Sequence, residues 1–245
     1  TGAEVQLANG MRLDTNYYFW PPGWVGNVPG LFTGSAMPMR FAGLTGNLID
    51  VYQATTQMTD ESGQTYPFTI DSLLDRAIGV EGYYGAYTVN AHTDLAIIPE
   101  STTVIASAKA RGVPVVSSRQ MLTWLDGRNS SSFGSFTWNG STLGFTISAG
   151  ANTNGIQAML PFRSGSSVLT AVLRAGSPVT FNVQTIKGVE YAFFSGIGGT
   201  YSASYGTDST VPTVTATSPA AGATGVSTAA AVTATFSEAM NAATI

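Results

Sequence analysis

The chain has 245 residues, enough for one or two domains with a sizeable core. Only 10% of the residues are charged and the net charge is −4, which gives no support to nucleic-acid binding, because that favours a basic stripe. Without cysteine there is neither a disulfide scaffold nor a thiolate metal site, and no apolar run approaches the length of a membrane span, so no membrane insertion is expected.

Taken in chain order, Asn9-Gly10 is a turn signal that leads into a short strand, where Met11 and Leu13 alternate with Arg12 and Asp14. The polar pair either projects from the strand end into a catalytic cleft or forms a salt-bridged strand edge. Residues 20–47 are dense in proline and glycine and exclude a regular helix. The segment is long for a plain connection, which points to a functional loop. Trp20 and Trp24 stand in it, and with Tyr18, Arg40 and Asp50 they are the expected substrate contacts. Aromatic faces pack on the apolar C–H face of a sugar ring. The opposing reading has both tryptophans plugging the end of a barrel.

Residues 48–58 read as a strand carrying Asp50, Tyr52 and Gln53. Asp60 and Glu61 follow in a polar turn, where paired carboxylates suit acid–base work but are ordinarily just solvated. Residues 70–79 form a helix with Thr69 or Asp71 as cap, Leu73, Leu74 and Ala77 on the core side, and Gly79 as stop. Residues 83–91 are rich in tyrosine, threonine and valine and read as the next strand. It ends in Asn90, His92, Thr93 and Asp94, and in parallel α/β folds catalytic groups gather at the carboxyl ends of strands.

His92 is the single histidine of the chain. Its imidazole titrates near neutral pH and suits general acid–base work, with Asp94 or another carboxylate to orient it. A lone histidine is as readily structural. Pro99 and Glu100 then fit a first helical turn, Val104, Ile105 and Ala108 a narrow apolar face, and Gly112 a C-terminal stop. Residues 113–116 are a short apolar run of the kind found in a buried parallel strand. A second helix carries Met121, Leu122 and Leu125. Successive strand–helix pairs imply parallel strands joined by crossovers.

The strand ending in His92, the helix with Lys109 and Arg111 in its last turn, and the run RGVPVVSSRQMLTWL at 111–125 together resemble the last segment of bacterial polysaccharide deacetylases. The resemblance covers 83–126. It implies an α/β fold, the partial (β/α) barrel of that family over 1–128, with His92 as general acid. It also implies a zinc-like divalent metal in the intact protein. The family's metal-binding aspartate and two histidines lie in the first half of its domain, so with one histidine here they are expected ahead of Thr1, and no metal is expected on this chain alone.

Beyond Gly127 the period changes. Asn139-Gly140 lies between alternating runs with Phe136 and Trp138 on one side and Leu143, Phe145 and Ile147 on the other, which is a hairpin signal. Short strand-like runs at regular spacing follow and predict an antiparallel β domain over 129–206. The GIGG run at 196–199 lacks the lysine and helix of a phosphate loop and reads as a turn. Residues 207–213 have linker composition. Residues 214–245, opening after Pro212 and Thr213, carry Ser218, Pro219, Gly222, Gly225, Val226, Val232, Ala234, Phe236, Ser237, Glu238 and Met240 in a pattern that resembles the opening of a bacterial Ig-like domain of the surface-layer type. Only its opening part is expected here, which would leave an exposed strand edge.

The abrupt start at TGAEV and the end inside a pattern at NAATI lead us to expect a piece of a longer polypeptide. The sequence thus predicts a partial deacetylase-like barrel, an antiparallel β domain and a truncated Ig-like segment. The resemblances imply an extracellular or cell-surface bacterial protein with a polysaccharide partner. Either the intact protein deacetylates that partner, or it is a silent carbohydrate-binding or adhesion protein that keeps the barrel as scaffold. A purely structural surface module is the third reading. Oligomeric state is not legible.

Overall fold

The computed structural model describes residues 1–16, 37–61, 63–79, 81–82, 85–94, 98–208 and 212–237. The chain divides into two compact units, one formed by Thr1–Ser130 with Gly150–Asn154 and the other by Ser131–Ala149 with Gly155–Ile245.

In the first unit, helix α1 (Gly2–Ala8) starts in a capping box, with Thr1 Oγ1 accepting from the Glu4 amide and the Glu4 carboxylate returning to the Thr1 amine. It lays Ala3 on Ile49 and Val51. Those two belong to β3 (Leu48–Gln53), the centre of a three-stranded sheet with β1 (Leu13–Asp14) parallel to it and β2 (Met39–Ala42) antiparallel to it. Strand β4 (Thr56–Thr59) is buried along its whole length and pairs in parallel with β5 (Thr88–Asn90). Helix α2 (Phe68–Ile78) connects them, which gives one strand–helix–strand unit. Helix α3 (Pro99–Ala110) brings Val104 and Ala108 against Ile70, Leu73 and Leu74 of α2, with Met58 of β4 in the same cluster. Arg111, at the end of α3, bonds to Asp75 at 2.7 Å and to Asp71 at 2.8 Å and ties the two helices at the surface. Helix α4 (Ser118–Ser130) closes the run.

This arrangement overturns the α/β barrel. Among the described residues strand takes up 40% and helix 21%, and the alternating eightfold pattern of a (β/α) barrel is not present. The predicted strand at 48–58 breaks at Ala54 and Thr55 into β3 and β4, which join different sheets. The predicted strand at 113–116 has no ladder at all, and Val115 and Val116 are 54% and 48% exposed. An apolar run becomes a buried parallel strand only where strands flank it on both sides and helices cover it, and among the described residues each parallel ladder joins just two strands, β1 with β3 and β4 with β5. Sheets of three and two strands, one of them mixed, do not close.

The second unit is antiparallel. Strands β6 (Ser132–Trp138) and β7 (Thr142–Ser148) form the predicted hairpin, with Gly140 at φ 97° and the Asn139 side chain accepting from the Thr142 amide at 2.8 Å. They continue through β8 (Gln157–Pro161), β9 (Arg163–Ser164), β10 (Ser167–Arg174), β11 (Ser177–Val179), β12 (Phe181–Ile186), β13 (Val189–Ser195) and β14 (Gly199–Thr207). One sheet runs β11-β10-β14-β7-β6 with β9 beside β10, and the other runs β12-β13-β8. Their alternating inner positions fill a single cluster: Phe145, Ile147, Leu169, Val172, Tyr201, Ala203 and Tyr205 from the larger sheet, and Ala158, Leu160, Ala192 and Phe194 from the smaller. The two buried tyrosines have carbonyl partners, Tyr201 donating to Ile197 at 2.6 Å and Tyr205 to Pro161 at 2.8 Å. The GIGG run forms the connection between β13 and β14.

Beyond this sandwich, β15 (Val214–Ser218) and β16 (Thr233–Phe236) pair antiparallel as an isolated two-stranded ribbon. None of the described residues 212–237 is buried. Among the described residues no helix is long and apolar enough to cross a membrane, which leaves open spanning by strands.

Candidate functional site

Asp60 directly follows β4, and His92 lies two residues beyond β5. Because these two strands are parallel and paired, both residues emerge at the same carboxyl-terminal edge, with the Asp60 amide bonding to the Asn90 carbonyl at 3.4 Å. Asp60 Oδ2 accepts the His92 backbone N–H at 2.8 Å, and Asp60 Oδ1 lies 2.9 Å from His92 Nδ1. Glu61 Oε1 stands 3.7 Å from the other ring nitrogen, Nε2. The hydrogen bond that the ring gives to Asp60, followed by the Glu61 and Asp60 charges, holds the imidazole above its ordinary range. Asp60 is held below the carboxylate range, first by the His92 amide and then by the ring. The orienting carboxylate is therefore Asp60. Asp94 adds the weakest of the attractions on the ring.

The pair fixes a ring nitrogen and can exchange a proton near neutral pH. Among the described residues no hydroxyl bonds to Nε2, and what they present is a base and its orienter. The divalent metal implied by the deacetylase resemblance does not fit these donors. Asp60 and Glu61 face opposite ring nitrogens and do not converge on one point, and among the described residues no group of three or more histidine or acidic side chains forms a metal-holding cluster.

The other charged candidates form a second constellation within the same unit. Arg12, one residue before β1, is bidentate to Asp126 of α4 at 2.7 Å on both arms, and its Nε donates to Asp50 of β3 at 2.9 Å. Those bonds push the guanidinium upward in pKa and pull Asp126 downward. Arg40 lies over the Tyr52 ring at 5.1 Å, donates to the Tyr52 hydroxyl at 3.1 Å and reaches Asp50 at 3.4 Å. Asn129 also donates to that hydroxyl. Asp50 Oδ1 is nonetheless buried without a hydrogen bond of good geometry. Asp14 does not join them: it accepts from Gln6 at 2.7 Å and from the Asn16 amide at 2.8 Å.

An open cleft of about 400 Å³ borders the constellation, with Met11, Leu13, Leu122 and Arg119 along its walls and the Arg12–Asp126 pair at one side. With both arms of Arg12 on carboxylates, that side chain is a satisfied ionic staple rather than a free cation. Tyr18, Trp20 and Trp24 lie outside the described residues.

Sequence reasoning placed Asp60 and Glu61 in a solvated turn and did not single out Asp126 or Asn129. Asp60 had a legible signal, since it follows a strand as His92 does. Asp126 had none, being 114 residues from Arg12.

In comparison with known proteins, residues 208–245 match a family model described as a bacterial Ig-like domain. No match to a deacetylase domain accompanies it. No curated protein and no solved structure matches the chain.

Proposed function

We propose that this chain is part of a multi-domain bacterial surface protein that works by non-catalytic adhesion, with polysaccharide as its partner. The observation that carries the reading is the match of 208–245 to a bacterial Ig-like domain immediately after an antiparallel β unit. Such modules serve as spacers between domains displayed outside the cell. The absence of cysteine and the low charge are compatible with that setting. A purely adhesive role also asks nothing of His92, whose pairing with Asp60 joins two strand ends.

Labelling of intact, unpermeabilised cells of the encoding bacterium with an antibody to this chain tests the placement. Signal on intact cells that protease shaving removes supports it. Signal confined to lysed cells sinks it. Acetate release from acetylated polysaccharide by the purified protein, abolished in His92→Ala, would return the molecule to the enzymes.

A further inference from the structure

The edge strand of the larger sheet carries an aromatic lip that the fold leaves uncovered. Strand β6 pairs with β7 on one side and ends the sheet on the other. Phe133 stands opposite Ile147 and Trp138 opposite Leu143, both in line with inner positions of β7. Five sequence positions separate the two aromatics, so a regular strand would send them to opposite faces. A one-residue bulge between Gly134 and Thr137, with Ser135 at φ 52°, resets the alternation and returns both to the inner face. There Phe133 meets Phe145 with ring centroids 5.8 Å apart, and Trp138 meets Tyr205 edge-on at 5.8 Å. Both rest against the core, yet Phe133 stays 43% and Trp138 51% exposed, and Phe136 in the bulge is 64% exposed. The smaller sheet has three strands against the five of the main path, which is why the last strand keeps its inner aromatics in water.

Three features decide what such a lip receives. From residue 129 to residue 162 the chain has no aspartate, glutamate, lysine, arginine or histidine, so this edge has nothing with which to hold a charged ligand. The bulge interrupts the regular ladder of β6, which disfavours an added β-strand from a protein partner. Neutral hydroxyl groups share this edge: Ser135 in the bulge, and Ser132 and Thr137 alternating with Phe133 and Trp138 on the other face, all exposed. Half-exposed rings for apolar C–H faces, on an edge whose other side chains are small and neutral, match an uncharged sugar surface.

We propose that the β6 edge, through Phe133, Phe136 and Trp138, is the binding surface for an uncharged polysaccharide. The proposal rests on the adhesive reading above and gives it a site. It is tested by retention of the purified chain on cellulose, chitin and xylan, with alginate as the anionic comparison. The expected result is retention on at least one of the three, weakened about tenfold in apparent affinity by Trp138→Ala and in the same direction by Phe136→Ser. Phe136 is the more exposed side chain, so its variant keeps an unchanged unfolding midpoint and decides the matter if Trp138→Ala fails to fold. Retention on none of the three overturns the proposal, as does retention on alginate alone or retention indifferent to both substitutions. Concentration-dependent self-association lost in Phe136→Ser would assign the lip to a second copy of the chain and overturn it as well. Surface labelling is independent of these outcomes, so a failed lip and a failed surface placement are told apart.

Discussion

The two units of this chain are held together differently. The second draws eleven buried side chains from five strands into one cluster, through antiparallel ladders that join strands far apart in sequence, β7 to β14 and β10 to β14. Among the described residues, the first unit has smaller clusters of six and three buried apolar side chains, and adds ionic ties between distant positions. Arg12 reaches Asp126, Arg111 reaches Asp71 and Asp75, and His92 reaches Asp60. Apolar burial is non-directional and survives salt, whereas part-exposed ion pairs depend on geometry, pH and screening. The first unit therefore depends more on charge than the second, where the Arg163–Glu190 pair at 2.6 Å stands beside a single large apolar cluster.

The strongest way to break this contrast is Phe145→Ala. Phe145 is stacked on Tyr201 at 5.2 Å and is nearly inaccessible. Its removal is expected to destabilise the second unit by about 3–5 kcal/mol. Hydrogen exchange should show protection lost in β7, β10 and β14 and kept in α2 and α3. Equal loss in both would mean that the units do not unfold separately. Arg12→Ala is the counterpart in the first unit, expected to cost about 1–2 kcal/mol because two carboxylates lose charge-assisted bonds in a part-buried setting. The deficit, read by urea unfolding at low and high salt, should shrink as salt rises, and a deficit indifferent to salt would point to packing instead.

The His92–Asp60 tie sharpens the comparison through pH. Asp60 is held below its ordinary 3.8, so its contribution is present above that value and is lost as the pH falls through the depressed one. His92 is held above its ordinary 6.5, so its contribution is complete below 6.5 and is lost as the pH rises through the raised one. The tie is at full strength between those limits. NMR titration of the ring should give a midpoint above 6.5 that Asp60→Asn brings down, and a wild-type midpoint at or below 6.5 would show the pair unmade. The smallest effect is expected at Val115 and Val116. Changing both to threonine should alter stability by less than about 0.5 kcal/mol, since exposed sites tolerate substitution. A large loss in urea unfolding would restore the buried strand that the fold lacks.

Much of the candidate site was legible only in part. His92 was visible as the single histidine at a strand end, but its partner was not chosen by sequence proximity: Asp94 is two residues away and Asp60 is 32. Parallel pairing of β4 with β5 brings the distant residue closest. Arg12 and Asp14 looked like partners for the same reason of proximity, and the fold sends them to different ones.

What the sequence determined by itself is what short-range physics encodes. Gly79 marked the end of α2, and Pro99 and Gly112 the bounds of α3, although the expected caps Thr69 and Asp71 lie inside α2, which starts at Phe68 after Pro67. Asn139-Gly140 placed the β6–β7 hairpin, and the pattern after residue 207 announced the Ig-like segment that the family match supports. What tertiary structure decided is which strands become neighbours. The apolar run at 113–116 satisfies every local rule for a buried strand and still forms none, because a strand exists only through the ladder beside it. The bulge at Ser135 is the same lesson at one residue: alternation along β6 predicts opposite faces for Phe133 and Trp138, and pairing with β7 puts them on one.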